Sequence, residues 1–430
     1  MKIYLKALGC RLNEAELENW AAEFQSGGHD LMQEPERADL VVVNTCAVTQ
    51  EAVKKSRQVI RRANRDNPRA KLVVSGCYAS LAPEVSQEIS GIDLLVSNQD
   101  KDRLPEIVNN ALLPEAMPVD ATRPGAAALY RRGRNRAFIK IQDGCRYRCT
   151  FCIVTVARGE ERSRRPEDII EQINRLSVQG VKEVVLTGVH VGGYGSDINS
   201  DLYSLLQSIL DETDIPRIRL ASVEPWDLPD GFFTLFKNRR LMPHMHLPLQ
   251  SGSDVILKAM ARRCKTADYA GLIRQARSEI PEFNVTTDVI VGFPGESDDN
   301  WRQGLDFIES IGFSHIHIFP YSIRAGTRAA ALPNQVAPGL KKIRCRQLAA
   351  LAGKMKKDCL QRTIGKRVPV LIESISSSEN GDNHAGLGYT PDYYRVGLPL
   401  LPDGNIQNRI REVDIVSLNA AGDGLLAELG

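Results

Sequence analysis

Three cysteines stand close together in Cys145-Arg-Tyr-Arg-Cys149-Thr-Phe-Cys152, a C-x3-C-x2-C spacing with no fourth cysteine nearby. Zinc sites closed by cysteine ordinarily pair two C-x2-C units, and no second pair is present. Three thiolates on one short turn suit a [4Fe–4S] cluster that keeps one iron open for chemistry. A zinc turn one ligand short is the alternative. A second set lies in the first hundred residues, where the apolar runs IYLKALG, ADLVVVNT and KLVVSG each lead to a cysteine: Cys10, Cys46 and Cys77. At the ends of successive parallel strands, thiols distant in sequence meet along one edge of a sheet. That edge offers a second cluster, again with an open position. Burial of a structural thiol is the plainer reading of any one of them. Cys264, Cys345 and Cys359 share no motif spacing and read as structural.

The elements that must position these thiols read as two βα series. Helix-like segments such as NEAELENWAAEFQSGG follow the first three runs, which predicts a small parallel α/β domain. Farther on come RAFIKIQ (136–142), EVVLTGV (183–189), RIRLASV (217–223), MHLPLQ (245–250), VTTDVIVG (285–292) and SHIHIFPY (314–321). Amphipathic stretches such as PEDIIEQINRLSVQG and NWRQGLDFIESIG separate them. These repeats predict a partial (β/α)6 barrel, with the three-cysteine turn directly after its first strand. The strand ends TGVHVGG (187–193), SVEP (222–225), LPLQSGSD (247–254) and IVGFPGE (290–296) carry glycines and polar residues. Glycine lets a backbone approach a ligand, and a following helix N-terminus offers free N–H groups. The candidates for cofactor contact are Gly188, Glu224, Gln250, Gly292 and Gly295, with Glu224 placed to accept from ribose hydroxyls. Taken singly, each is also compatible with an ordinary turn. His190 and His246 read as wall residues, and His315 and His317, at alternate positions of one strand, share a face. No acid/base side chain is assigned.

Composition fits a multi-domain cytoplasmic enzyme. The chain is 43% hydrophobic and 25% charged, within the range of globular proteins, so neither a disordered nor a membrane class applies. No apolar run approaches the roughly 18 residues of a membrane span. MKIYLKALGC lacks the sustained apolar stretch of a signal peptide. A net charge of +2 is uninformative, but its distribution is not. Residues 54–71, 123–140 and 341–367 are basic, the last with ten Lys/Arg and one acid, which fits an electrostatic footprint for RNA or simply solvated faces. Residues 366–430 instead hold five Lys/Arg against nine Asp/Glu. There Tyr389, Tyr393 and Tyr394 are candidates either for base stacking or for strand packing.

The segments LGCRLNEAE (8–16), VVNTCAVT (42–49), SGCYA (75–79), QDGCRYRCTFC (142–152), ARGEERSRRP (157–166), HLPLQSGSD (246–254), DVIVGFPGE (288–296) and FPYSIRAGT (319–327) span nearly the whole chain. Together they resemble the radical S-adenosylmethionine methylthiotransferases. Arg11-Leu12-Asn13 after the first cysteine is most similar to the branch acting on N6-threonylcarbamoyladenosine at tRNA position 37. Thr155-Val156 departs from the Pro-Tyr usual there. The resemblance implies an N-terminal α/β domain over 1–118, a radical barrel over 119–340, a basic helical linker over 341–364 and a TRAM-like β-barrel over 365–430. It implies two [4Fe–4S] clusters, on Cys145/Cys149/Cys152 and on Cys10/Cys46/Cys77, with S-adenosylmethionine on the first. It also implies methylthiolation of adenine C2 by a 5′-deoxyadenosyl radical, with a low-potential electron donor, a sulfur donor and no membrane. The alternatives are isopentenyladenosine 37 or a ribosomal-protein aspartate as substrate, or a non-catalytic iron–sulfur RNA-binding or redox protein.

Overall fold

Apolar residues on both faces force the run LVVVNT into the middle of a sheet, because every residue of β3 (Leu40–Thr45) is buried. The flanking strands are β1 (Lys2–Ala7), β2 (Asp30–Met32), β4 (Lys71–Gly76) and β5 (Leu94–Val96), all parallel in the order β2-β1-β3-β4-β5. Alternate residues serve two cores. Val41, Val43 and Val74 pack with Ile60 and Ala63 of α2 (Gln50–Asp66), whereas Leu5, Val42 and Val73 pack with Trp20 and Phe24 of α1 (Arg11–Ser26). Thr49 caps α2 by accepting from the Ala52 N–H at 3.1 Å. The computed structural model describes residues 1–81, 83, 89, 91–112, 136–377, 384–401 and 406–429.

The chain divides into two compact units. The first comprises Met1–Arg132, Gln142–Arg162 and Ser322–Thr327; the second comprises Gly133–Ile141, Ser163–Tyr321 and Arg328–Gly430. Sequence boundaries place 142–162 with the barrel, yet this three-cysteine segment packs within the first unit. Ala157 joins the β3/β4 core and its carbonyl accepts from Asn98 Nδ2 at 2.7 Å. Arg158 is drawn in by carboxylates of that unit, as detailed below.

In the second unit, the strands Arg136–Lys140, Glu183–Thr187 and Arg217–Leu220 form one parallel sheet, and His244–His246, Asn284–Val291 and His315–Pro320 another. Bridges Ile218–Leu241 and Ser222–His246 join the two, giving an open six-stranded partial barrel with helices between the strands. A long helix, Pro338–Gln361, leads into a closed five-stranded barrel formed by Arg367–Ser377, His384–Tyr389, Arg395–Leu401, Ile410–Leu418 and Leu425–Leu429. The closed barrel's core holds Val370, Ile372, Val396, Leu398, Val413 and Ile415.

The closed barrel seals the amino ends of the partial-barrel strands. Arg217 donates to the carbonyls of Pro369 (2.7 Å) and Tyr389 (3.1 Å), and Arg219 to that of Pro391 (3.0 Å). Tyr389 and Tyr393 stack on each other with ring centroids 5.2 Å apart. The Arg136 guanidinium lies 4.6 Å from the Tyr389 ring, and that of Arg219 lies 4.4 Å from the Tyr393 ring. These two tyrosines therefore pack the closed barrel onto the partial barrel. Tyr394 packs against the core of the closed barrel.

Part of the basic run 341–367 is likewise taken up by structure, whereas Lys342, Arg346, Lys357, Arg362 and Arg367 stay exposed. Arg344 is buried between Glu296 (2.7 Å) and Asp298 (2.6 Å), Lys341 donates to the Tyr321 carbonyl, and Lys354 and Lys366 pair with Glu309 and Glu282. Of the run 123–140, residues 123–135 lie outside the described residues and Arg136 is buried. The outer face of α2 keeps its charge exposed, with Lys54, Lys55, Arg61, Arg62 and Arg65. Lys54, Arg57 and Arg61 border a hollow of about 330 Å³ there.

Candidate metal centres and cofactor pocket

Cys10, Cys46 and Cys77 follow the carboxyl ends of β1, β3 and β4, three neighbouring strands whose registers pair Ala7 with Asn44 and Thr45 with Gly76. Two glycines make the convergence possible. Gly9 (φ +97°) lies so close to Cys46 that an added Cβ would sit 2.6 Å from the Cys46 sulfur. Gly76 (φ +97°) presses on the Thr45 backbone in the same way. Both backbones adopt a conformation that side chains disfavour, so the residue before each cysteine is set by approach and by dihedral together. Burial pushes the Cys46 thiol up to about 11, and the neighbouring Cys10 and Cys77 sulfurs reinforce it. Desolvation also raises Cys10, against the pull of the Arg158 guanidinium. Three thiols brought to adjacent strand ends fit the donor set of an iron–sulfur cluster, which would bind them as thiolates.

A buried polar knot ties this edge to the other cysteine loop. Asn13, on the first turn of α1, donates to the carbonyls of Leu8 (2.6 Å) and Thr45 (3.0 Å), and its Oδ1 lies 3.7 Å from Cys10 Sγ. The same Oδ1 accepts from Arg158 Nη2 at 2.8 Å. Arg158 Nη1 pairs with Glu16 (3.0 Å) and Asp143 (2.9 Å). Glu16 also meets Lys101 at 2.6 Å and accepts from Asn44 Nδ2 at 2.9 Å. All four charged side chains are 2% exposed or less, and the two carboxylates balance the two cations.

Cys145, Cys149 and Cys152 lie on the half-buried loop between Asp143 and the short helix Val154–Arg158. The Cys145 N–H donates to the Gly159 carbonyl at 3.1 Å, and the Cys152 N–H to that of Cys149 at 3.1 Å, which curls the turn. Gly144 (φ +73°) abuts the Glu160 carbonyl, a third Gly-Cys pair with no room for a side chain. Thr155 Oγ1 donates to the Tyr147 carbonyl at 2.9 Å, so the departure at Thr155 supplies a loop contact.

Within the second unit, Gly188 follows the strand Glu183–Thr187 and is half-buried. Glu224 is deep-set, and burial raises its carboxyl although His190 pulls it down. Among the described residues its Oε2 takes no hydrogen bond; it lies 3.8 Å from His190 Nε2, which itself pairs with Asp227 at 2.6 Å. A desolvated carboxylate oxygen of this kind fits a donor on a bound ligand. Gln250 adopts φ +73°, rare for a side-chain-bearing residue, and is held there by Gln250 N–H to Asp288 O and Ile290 N–H to Gln250 O, both 2.9 Å. The Gly292 N–H donates to Glu296 Oε1 at 3.0 Å, and its α-carbon is covered by the Lys341 side chain, so the close approach there is made by the long helix. Gly295 (φ +84°) has open space beside it.

A polar cluster that the sequence reading gave only in part, through His246 and His317, lies on one face of the last three barrel strands. The ligand atoms of His246, Asp288 and His317 lie within 4.8 Å of one another, with His246 Nε2 3.2 Å from Asp288 Oδ1. Registers pair His246 with Thr286 and Asp288 with His317, so an alternation count across paired strands could have found it. The Gly-Cys dipeptides at 9–10, 76–77 and 144–145 were likewise a readable signal.

An open parallel barrel, in a chain that carries C-x3-C-x2-C after its first barrel strand, defines a radical S-adenosylmethionine enzyme. Residues 139–308 match the Radical SAM superfamily and residues 2–97 match the uncharacterized protein family UPF0004. The fold is similar to that of the radical S-adenosylmethionine methyltransferase TsrM from Kitasatospora setae, with a TM-score of 0.58 at 16% identity over 82% of this chain and 89% of that one. The threonylcarbamoyladenosine tRNA methylthiotransferase MtaB of Bacillus subtilis is 36% identical over 90% of this chain and 88% of its own length. Its Thermotoga maritima namesake is 34% identical, covering 86% of each. The tRNA-2-methylthio-N(6)-dimethylallyladenosine synthase of Staphylococcus haemolyticus is 33% identical over 90% of this chain and 77% of its length. The chain belongs to the radical S-adenosylmethionine methylthiotransferases, which work with a [4Fe–4S] cluster and S-adenosylmethionine. Among the described residues no helix is long and apolar enough to cross a membrane.

Proposed function

We propose that the chain installs a methylthio group at C2 of N6-threonylcarbamoyladenosine 37 of tRNA. The observation that carries this reading is the meeting of Cys10, Cys46 and Cys77 at adjacent strand ends, because radical generation alone needs only one thiol triad. In this reading Cys145, Cys149 and Cys152 hold the cluster that binds S-adenosylmethionine, and the other triad holds a second cluster associated with sulfur insertion. When bound, the first cluster and its cofactor supply a 5′-deoxyadenosyl radical, suited to an aromatic C–H that no side-chain base can ionise. Glu224 accepts from the cofactor's donors, while Gly188, Gln250, Gly292 and Gly295 shape the strand ends around it. The threonylcarbamoyl assignment is supported by the names of the Bacillus subtilis and Thermotoga maritima relatives. The exposed basic face of α2 offers phosphate contacts for the RNA. A low-potential electron donor and a sulfur donor complete the partners.

The test is mass spectrometry of tRNA nucleosides from cells with and without the gene. Loss of 2-methylthio-N6-threonylcarbamoyladenosine, with a rise in its unthiolated precursor, supports the reading. Loss of the dimethylallyl product instead moves the assignment to the substrate class named for the Staphylococcus haemolyticus relative.

A further inference from the structure

The knot around Arg158 does more than fill space. Its guanidinium reaches Asn13 Oδ1 at 2.8 Å, and that oxygen is 3.7 Å from Cys10 Sγ, so one amide separates a buried cation from a cluster ligand. Electrostatic coupling from Arg158 reaches the Cys10 and Cys46 thiols, and Cys10 and Cys77 act back on Arg158. Its sequence neighbours tie it to the other loop: Arg158 ends the helix that follows Cys152, and its partner Asp143 stands two residues before Cys145. A purely structural knot would be served by an apolar core, which is often at least as stable as a buried ion network. A buried charge near a cluster, by contrast, acts directly on its electron affinity, because the low-dielectric interior screens it little.

We propose that Arg158 is a positioning residue that sets the reduction potential of the cluster held by Cys10, Cys46 and Cys77. The inference rests on the cluster assignment made above. Adding an electron makes the thiolate-bound cluster more negative. The Arg158 cation favours that reduced state, whereas Glu16, paired with Arg158 Nη1 and acting on Cys10, opposes it. The two residues therefore pull the potential in opposite directions. Asn13 orients the guanidinium and braces the Cys10 and Cys46 segments through the Leu8 and Thr45 carbonyls.

The experiment uses the full chain with Cys145, Cys149 and Cys152 replaced by alanine, so that one cluster signal remains. Iron and sulfide are counted, and the cluster is titrated with dithionite while its paramagnetic resonance is recorded. Arg158→Met is expected to lower the midpoint potential, Glu16→Gln to raise it, and Arg158→Lys to stay near the parent. A merely structural role would move Met and Gln variants in the same direction, or change iron content without moving the potential; either result overturns the proposal. If Arg158→Met fails to load iron, Glu16→Gln decides alone, and an unshifted potential there overturns it. Absence of iron from the alanine-triad parent removes the second-cluster assignment and this inference with it. Iron present without a shift removes the inference only.

Discussion

Glu183→Gln probes how the floor of the partial barrel is held. Glu183 is wholly buried and faces three arginines: Arg219 at 3.2 Å, Arg136 at 3.6 Å and Arg217 at 3.9 Å. Burial alone would push its carboxyl up, but Arg219 and Arg136 bring it down from 4.5 to about 2. That gap corresponds to about 3 kcal/mol of preference for the charged form. Breaking a buried ion pair from one side costs about 3–5 kcal/mol by an independent route, so the two magnitudes agree. Glutamine keeps the shape and removes the charge, leaving the arginines without their main counter-ion. Stability should therefore fall by about 3 kcal/mol at neutral pH. The sign of the pH dependence follows from the depressed carboxyl. Its contribution is complete above about 4.5 and is lost as the pH falls toward about 2, so wild type and variant should converge over that window. Urea unfolding in a Trp20→Phe background leaves Trp226 and Trp301, both in the second unit, as the fluorescent probes. A loss below about 1 kcal/mol, or a difference that does not shrink with acid, would refute the account.

Gly9→Ala should drive a methyl group into the Cys46 sulfur and halve the bound iron, from about eight to about four atoms per chain, as read by metal analysis; retention of both clusters would count against the packing argument. Lys54→Glu with Arg61→Glu should weaken tRNA binding several-fold and flatten its salt dependence, measured as the slope of affinity against ionic strength. Glu224→Gln should raise the KM for S-adenosylmethionine about tenfold or more while leaving iron content intact, because it alters a carboxylate oxygen that awaits a donor. An unchanged KM would place that oxygen outside the cofactor pocket.

The cysteines and strands were legible because their signals are local. Cys10, Cys46 and Cys77 each follow an apolar run, and parallel strands deliver their ends to one edge whatever the loops between them. The polar knot was not legible. Glu16, Lys101, Asp143 and Arg158 are scattered over 140 positions, and in sequence each resembles an ordinary surface charge. Arginines inside strands were equally illegible. Arg136, Arg217 and Arg219 look like solvent-facing residues until Glu183 and the carbonyls of the closed barrel appear opposite them. In the stretch 341–367 a count of lysines and arginines could not register that Arg344 is buried between Glu296 and Asp298 or that Lys354 meets Glu309.

The stacked pair Tyr389 and Tyr393 gives the C-terminal barrel a second identity. A detachable recognition module could be exchanged between relatives or deleted with only its target lost. This one doubles as a stopper: its backbone carbonyls take up the Arg217 and Arg219 donors, and its rings close over Arg136 and Arg219. Removing it would admit water to the base of the partial barrel, and three arginines would face solvent around one carboxylate. Any domain grafted in its place must reproduce that stopper before it can lend a new specificity.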